Sequence, residues 1–251
     1  MAEHGKRAGG RRPVALVTGA GSGIGAATAR ALAEAGWRVV CAGRRREPLE
    51  ATVTRIGAGA RAIELDVADL ASVESLGSRL PAAWRAVEVL VNAAGHDVGG
   101  RRPLHECGME QAASIIETNV VGLIWVTRHL LEGMRARGSG HIVNIGSIAG
   151  RRPYATGTLY SASKHAVHGF SECLRRECRG SGIRVTEILP GMVRTGFAAA
   201  RLGDEEAARR FYDGFGQCLS AEDVARTVIF ALQQPPHVVV SELVVVPRDQ
   251  P

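Results

Sequence analysis

Lysine is almost missing from this chain. Of 31 basic residues only Lys6 and Lys164 are lysines, and the rest are arginine. Asparagine is nearly as scarce, at three positions: Asn92, Asn119 and Asn144. Aromatic residues are 4% of the chain and the arginines are dispersed, which argues against a nucleic-acid-binding surface despite a formal charge of +6. A solvated surface with an arginine-rich coding bias fits better. No apolar run reaches the 18 or so residues of a membrane span. The five cysteines are odd in number, scattered and free of any C-x-x-C, so neither a zinc site nor a disulfide framework is indicated. That fits a reducing cytoplasm, and no metal is expected. The start, "MAEHGKRAGGRRPVALVTGAGSG", is basic and then apolar, but its apolar part is too short for a secretory signal. Residues 1–12 read as a disordered arm leading into a buried strand.

What is present alternates. "VALVT" (14–18), "RVVCA" (38–42), "RAIELD" (61–66), "VEVLVN" (87–92), "HIVNIG" (141–146), "IRVTEIL" (183–189) and "ELVVV" (242–246) are candidate strands. Amphipathic stretches lie near 24–35, 47–56, 70–83, 109–137, 158–179 and 221–233. Apolar runs without clean alternation suit strands buried on both faces. Strand and helix in alternation predict one α/β domain over 13–251, a doubly wound parallel sheet of about seven strands with helices on both faces. No linker, repeat or low-complexity stretch interrupts it. The longest irregular region is expected at about 191–219, covering the crevice at the strands' carboxyl ends.

Between the first strand and first helix, "TGAGSGIG" places Gly19, Gly21, Gly23 and Gly25, with Ser22 and Ile24 among them. Glycine there lets the backbone approach a pyrophosphate at the positive end of a helix. Tight turns also use glycine, but strand and helix stand correctly on either side. The second strand ends in Gly43 followed by Arg44, Arg45 and Arg46, where an NAD site places an acid for the ribose 2'-hydroxyl. A guanidinium pairs with a 2'-phosphate and a carboxylate repels it, so the expected cofactor is NADP(H). The bland alternative is a solvated helix start. The missing acid also weighs against S-adenosylmethionine.

Asn92 closes the fourth strand in "LVNAAG", Asn119 sits in a helical stretch in "ETNVVG", and Ser147 follows the fifth strand. Thirteen residues after Ser147, "YSASK" sets Tyr160 one helical turn before Lys164. In this order, with "TGAGSGIG" before them and "PGMVRT" after, the motifs resemble the classical short-chain dehydrogenase/reductase family over about 14–246. The arginine after the second strand resembles its NADP-preferring subgroup. The ending resembles the branch of 3-hydroxy acid dehydrogenases and clavulanate-type aldehyde reductases. One departure is Ala93, where the family usually has a second asparagine.

The resemblance implies a Rossmann fold and hydride transfer between a carbonyl and an alcohol. A phenol, with a pKa of about 10, exchanges its proton poorly near neutrality unless a cation favours the phenolate. The resemblance accordingly makes Tyr160 the acid/base and Lys164 its tuner and a ribose ligand. Ser147 then orients the carbonyl, and Asn119 holds a water for proton relay. Asp66 and Val67 would contact adenine, and Asn92, Ala93, Ala94 and Gly95 would line the adenosine ribose. Thr195 would hold the carboxamide, with Pro190, Gly191 and Val193 as further cofactor-binding positions. Asp66 as a helix cap and Pro190–Gly191 as a plain turn are the simpler alternatives. The rival activities are a broad aldehyde or ketone reductase of secondary metabolism and a non-catalytic nucleotide sensor. Arg101, Arg102, Arg151, Arg152 and Arg194 in crevice loops raise an anionic substrate, though arginines are many. A homotetramer, or failing that a homodimer, is expected through the long helices and the last strand.

Overall fold

The structure, a computed structural model, describes residues 12–250, so the expected arm lies outside the described residues but for its last one. The chain opens on β1 (Val14–Thr18), α1 (Gly23–Glu34), β2 (Arg38–Gly43), α2 (Arg46–Ile56) and β3 (Ala60–Glu64). Short helices α3 (Leu70–Glu74) and α4 (Leu76–Arg79) lead to β4 (Val87–Asn92). Then come α5 (Met109–Ile116), a π-helical turn (Glu117–Gly122), α6 (Leu123–Arg137), β5 (Gly140–Ile145), α7 (Thr158–Glu177) and β6 (Ile183–Pro190). The chain closes with α8 (Phe197–Leu202), α9 (Glu205–Asp213), α10 (Ala221–Leu232) and β7 (Glu242–Val245).

The seven strands form one parallel sheet in the order β3-β2-β1-β4-β5-β6-β7. All five residues of β1 are buried, and its side chains divide between two cores. Val14 and Leu16 pack with Val126, Met134 and Leu174 on the face of α6 and α7. Ala15 and Val17 pack with Leu32, Leu49 and Val228 on the face of α1, α2 and α10. Each fully buried Val, Leu or Met side chain contributes roughly 1.5–3 kcal/mol. Because β1 is flanked by β2 on one side and β4 on the other, the connections diverge there and open a crevice at the carboxyl ends.

Two expected elements come out differently. The stretch at 109–137 is not one α-helix, because the π turn at Glu117–Gly122 widens it in the middle. Gly122 lies where a Cβ would meet the Val67 side chain and carbonyl at 2.7 Å, so this turn is pressed against the chain that follows β3. The region 191–219 is not irregular throughout. Gly203, at a φ of 70°, ends α8, and Asp204 caps α9 by accepting from the Glu206 and Ala207 amides. A Glu206–Arg210 pair at 2.6 Å then spans one turn of α9.

Candidate active site

The glycine turn is shaped by what it must touch. Gly19 has a φ of 68°, and a Cβ there would come within 2.9 Å of the Ala93 carbonyl and the Ala94 amide. Thr18 locks the same junction, its hydroxyl accepting from the Ala93 and Ala94 amides at 3.1 Å. The Ala93 departure therefore leaves this backbone bonding in place. Gly23, at a φ of 49°, lies under Thr195, and Gly25 has no room for a side chain against the Gly19 carbonyl. Ser22 begins α1 without a side-chain cap, so the first-turn amides keep their donors for another acceptor. Past β2, Arg46 is taken by Glu50 at 2.7 Å and Glu64 at 3.6 Å. Arg44 and Arg45 are exposed, and neither has an ion pair among the described residues. A backbone cradle, an uncapped helix start and two available guanidinium groups fit a 2'-phosphorylated dinucleotide.

Asp66 accepts from the Ala68 amide at 3.0 Å in its own turn, while Asp69, not Asp66, caps α3. Val67 is buried beside Gly122. Gly191 donates its amide to Val245, so the turn after Pro190 is tied to β7. Val193 bridges to Leu219, and the Thr195 main chain is held from both sides by the Tyr212 hydroxyl.

All three asparagines are buried. Asn92 donates to Thr127 and to Asn144, both at 2.9 Å, and Asn144 donates onward to Ser171. The Asn92 side chain therefore braces β4, β5 and two helices from within and does not line the crevice. Asn119 accepts from the His96 amide at 2.9 Å, and donates to the His96 carbonyl and to Ser163 at 2.9 and 3.1 Å. Its side chain is fully engaged in joining the exit of β4 to α7, so a relayed water would have to be held by its main chain.

Ser147, Tyr160 and Lys164 come together where β5 and α7 meet. The Ser147 hydroxyl accepts from the Ala149 amide at 3.1 Å and faces the Tyr160 phenol. Lys164 is buried, donates to the Ile145 carbonyl at 2.8 Å, and stands 5.7 Å from the Tyr160 ring centre. Burial lowers the Lys164 ammonium to about 8, against the opposing pull of the Glu187 carboxylate. Burial raises the Tyr160 phenol to about 12, against Arg201 first and the Ser147 hydrogen bond second. Tyr160 also walls a small recess with Asp97, Arg102, Gln111 and Thr158.

The family model described as short chain dehydrogenase matches residues 13–206. The chain belongs to the short-chain dehydrogenase family. The NADP-dependent 3-hydroxy acid dehydrogenase YdfG of Salmonella typhi is 41% identical over 239 residues, 94% of this chain and 96% of that protein. The serine 3-dehydrogenase of Agrobacterium fabrum is 36% identical over 236 residues, 94% of each chain. Among solved structures, the closed form of a serine dehydrogenase complexed with NADP+ has a TM-score of 0.92 at 38% identity, over 95% of this chain and 96% of that one. An actinorhodin polyketide ketoreductase variant with NADPH has a TM-score of 0.83 at 35% identity, over 93% and 95%.

In this short-chain dehydrogenase the sequence reading missed Arg201. It lies on α8, is buried, and pairs with Asp97 at 2.7 Å. One more arginine in an arginine-rich chain carries no signal until its burial is seen. The arginines proposed to ring the crevice also divide. Arg151 is paired with Glu242, and Arg194 pairs with Asp213 at 3.2 Å, so both already have carboxylate partners. Arg101, with a φ of 61°, lies over the Tyr154 and Phe211 rings at 4.9 and 4.8 Å. Arg102 lines the recess.

Proposed function

We propose that this chain is an NADP(H)-dependent oxidoreductase that interconverts a small carbonyl and its alcohol, with Tyr160 as general acid/base. The observation that carries the reading is the meeting of Tyr160, Ser147 and Lys164 beside a recess. NADPH, when bound, supplies the hydride. Gly19 to Gly25 and the start of α1 hold the pyrophosphate, and Arg44 with Arg45 holds the 2'-phosphate. Thr195, stacked over Gly23, orients the carboxamide end. Ser147 donates to the carbonyl oxygen and fixes its direction. Tyr160 gives that oxygen a proton as negative charge develops, and takes it back in alcohol oxidation. Lys164 contributes its charge beside the phenol, and the segment from Gly196 to Asp213 brings Phe197 and Arg201 against the Tyr160 ring.

The substrate carries an anionic group close to its carbonyl. Arg102 on the recess wall supports this, and among the described residues it has no ion pair. Relatives named as 3-hydroxy acid and serine dehydrogenases support the same class. Comparing a 3-oxo acid with its methyl ester in an NADPH-oxidation assay tests this. The acid should be preferred about tenfold or more in kcat/KM, with the preference shrinking as salt rises. Equal rates at every salt concentration would leave the arginines as surface.

We also propose a cytoplasmic homotetramer made from one domain over 13–251. Apolar side chains on the β7 and α10 side, Val244 at 53% and Phe230 at 51% exposure, support one interface. Met109 and Ile124, on the α5 and α6 stretch, support a second. Five free cysteines suit a reducing compartment.

A further inference from the structure

One buried charge pair beside Tyr160 takes no part in the roles assigned above. The Arg201 and Asp97 side chains are 8% and 2% exposed and meet at 2.7 Å. Arg201 comes from α8 in the covering segment, and Asp97 from the loop that leaves β4. The same two segments are joined through the main chain, where the Gly99 amide donates to the Arg201 carbonyl at 3.2 Å. Gly100 has no Cβ that would strike the Asp97 carboxylate. The guanidinium then lies 5.5 Å from the centre of the Tyr160 ring and 4.9 Å from that of Phe197. Phe197 itself packs on Tyr160 with centroids 5.7 Å apart.

An ion pair is an expensive way to fasten a cover. Apolar side chains of similar volume serve stability as well or better, because both charges must leave water. What charges do and apolar groups do not is act on a neighbouring acid. Five groups face the phenol. Lys164 comes from its own helix, Ser147 from beyond β5, Tyr154 from the loop between them, Arg201 from α8 and Asp97 from beyond β4. Lys164 is committed to the Ile145 carbonyl. Arg201 is the strongest influence drawing the proton off Tyr160, and Asp97 and Tyr154 oppose it.

We propose that Arg201, held by Asp97, is a positioning residue that sets how readily Tyr160 gives up and takes its proton, as a second cation beside Lys164. The proposal rests on Tyr160 being the acid/base. The proton balance is simple: in reduction the phenol O–H bond breaks and its proton passes to the carbonyl-derived oxygen, and oxidation reverses this. A cation over the ring stabilises the phenolate left behind. Asp97 fixes the guanidinium there and, by its own charge, limits the effect. Because Arg201 rides on the covering segment, the cation reaches the ring only with that segment docked on the 97–100 loop.

The test reads phenolate directly, by ultraviolet difference absorbance after a rapid jump to alkaline pH, in the free protein and in its NADP+ complex. The chain has three tyrosines, Tyr154, Tyr160 and Tyr212, so subtracting the matching Tyr160→Phe variant isolates one signal. At the pH where wild-type Tyr160 is half ionised, Arg201→Met should cut its phenolate signal on the order of fivefold, a one-unit rise in pKa. Asp97→Asn should move the signal the other way, up to about twofold, and Arg201→Lys should restore most of the loss. The acid limb of kcat/KM for alcohol oxidation should shift in the same opposed directions. Unchanged signals, or shifts of one sign in both variants, would overturn the proposal. Should Arg201→Met fail to fold, Arg201→Gln is read in its place. Opposed titrations without turnover on any carbonyl would sink the assigned reaction and leave the pair's effect standing. Turnover without opposed titrations would do the reverse.

Discussion

At the end of β2 the chain turns at Gly43 and presents two guanidinium groups in succession, Arg44 and Arg45, while Arg46 is held by Glu50 and Glu64. Burial lowers the pKa of His96, and the charge of Arg44 adds to that lowering. A fork of donors next to a phosphate is a strong contact, and an adenosine lacking that phosphate has nothing to offer it. Arg44→Ala should therefore raise the KM for NADPH about tenfold or more and leave that for NADH nearly unchanged. Equal losses with both cofactors would give Arg44 a structural role only. Residues of this kind were legible in the sequence because scarcity or punctuation exposed them. Lys164 is one of two lysines, and Arg44 follows the glycine that ends a strand. Arg201 was not legible, since nothing local separates it from the other arginines. Its meaning comes from a partner more than 100 positions away, Asp97.

Among the elements, β1 and β4 matched their sequence reading at both ends, because apolar runs buried on two faces stand out as continuous blocks. The long helical stretch at 109–137 was read correctly as helical, but its widened turn was not. Periodicity reports which side of a helix is apolar, whereas the π turn answers to what it touches. Gly122 lets it press on Val67, and Asn119 reaches from it to both backbone groups of His96. Such turns recur at functional sites because they displace one side chain from the regular helical position. The covering segment was read as irregular because glycine and arginine punctuate it. The signals for its second helix were present in Asp204 before "EEAARR", a cap followed by pairs one turn apart.

The whole molecule brings these parts together through one topological fact. Connections from β1 and β4 leave in opposite directions, so a crevice opens where the glycine turn meets the β4 exit. The same sheet carries β5 and β6, which deliver Ser147 and the segment ending at Thr195 to that edge. The outer strand β7 and helix α10 expose apolar side chains, Val244 and Phe230 among them, and the proposed assembly would use that face. Light scattering at micromolar protein should accordingly give four chain masses, with one chain mass contradicting the proposed assembly. The proposed reaction turns on one oxygen atom, the phenol of Tyr160, and on the proton it exchanges with substrate. The most direct test is the Tyr160→Phe variant, comparing NADPH binding with NADPH-dependent reduction of the best carbonyl substrate. With Tyr160 as the proton donor, kcat falls by about 10²–10⁴-fold while the dissociation constant for NADPH stays within about twofold. A variant that keeps most of its kcat would contradict that role.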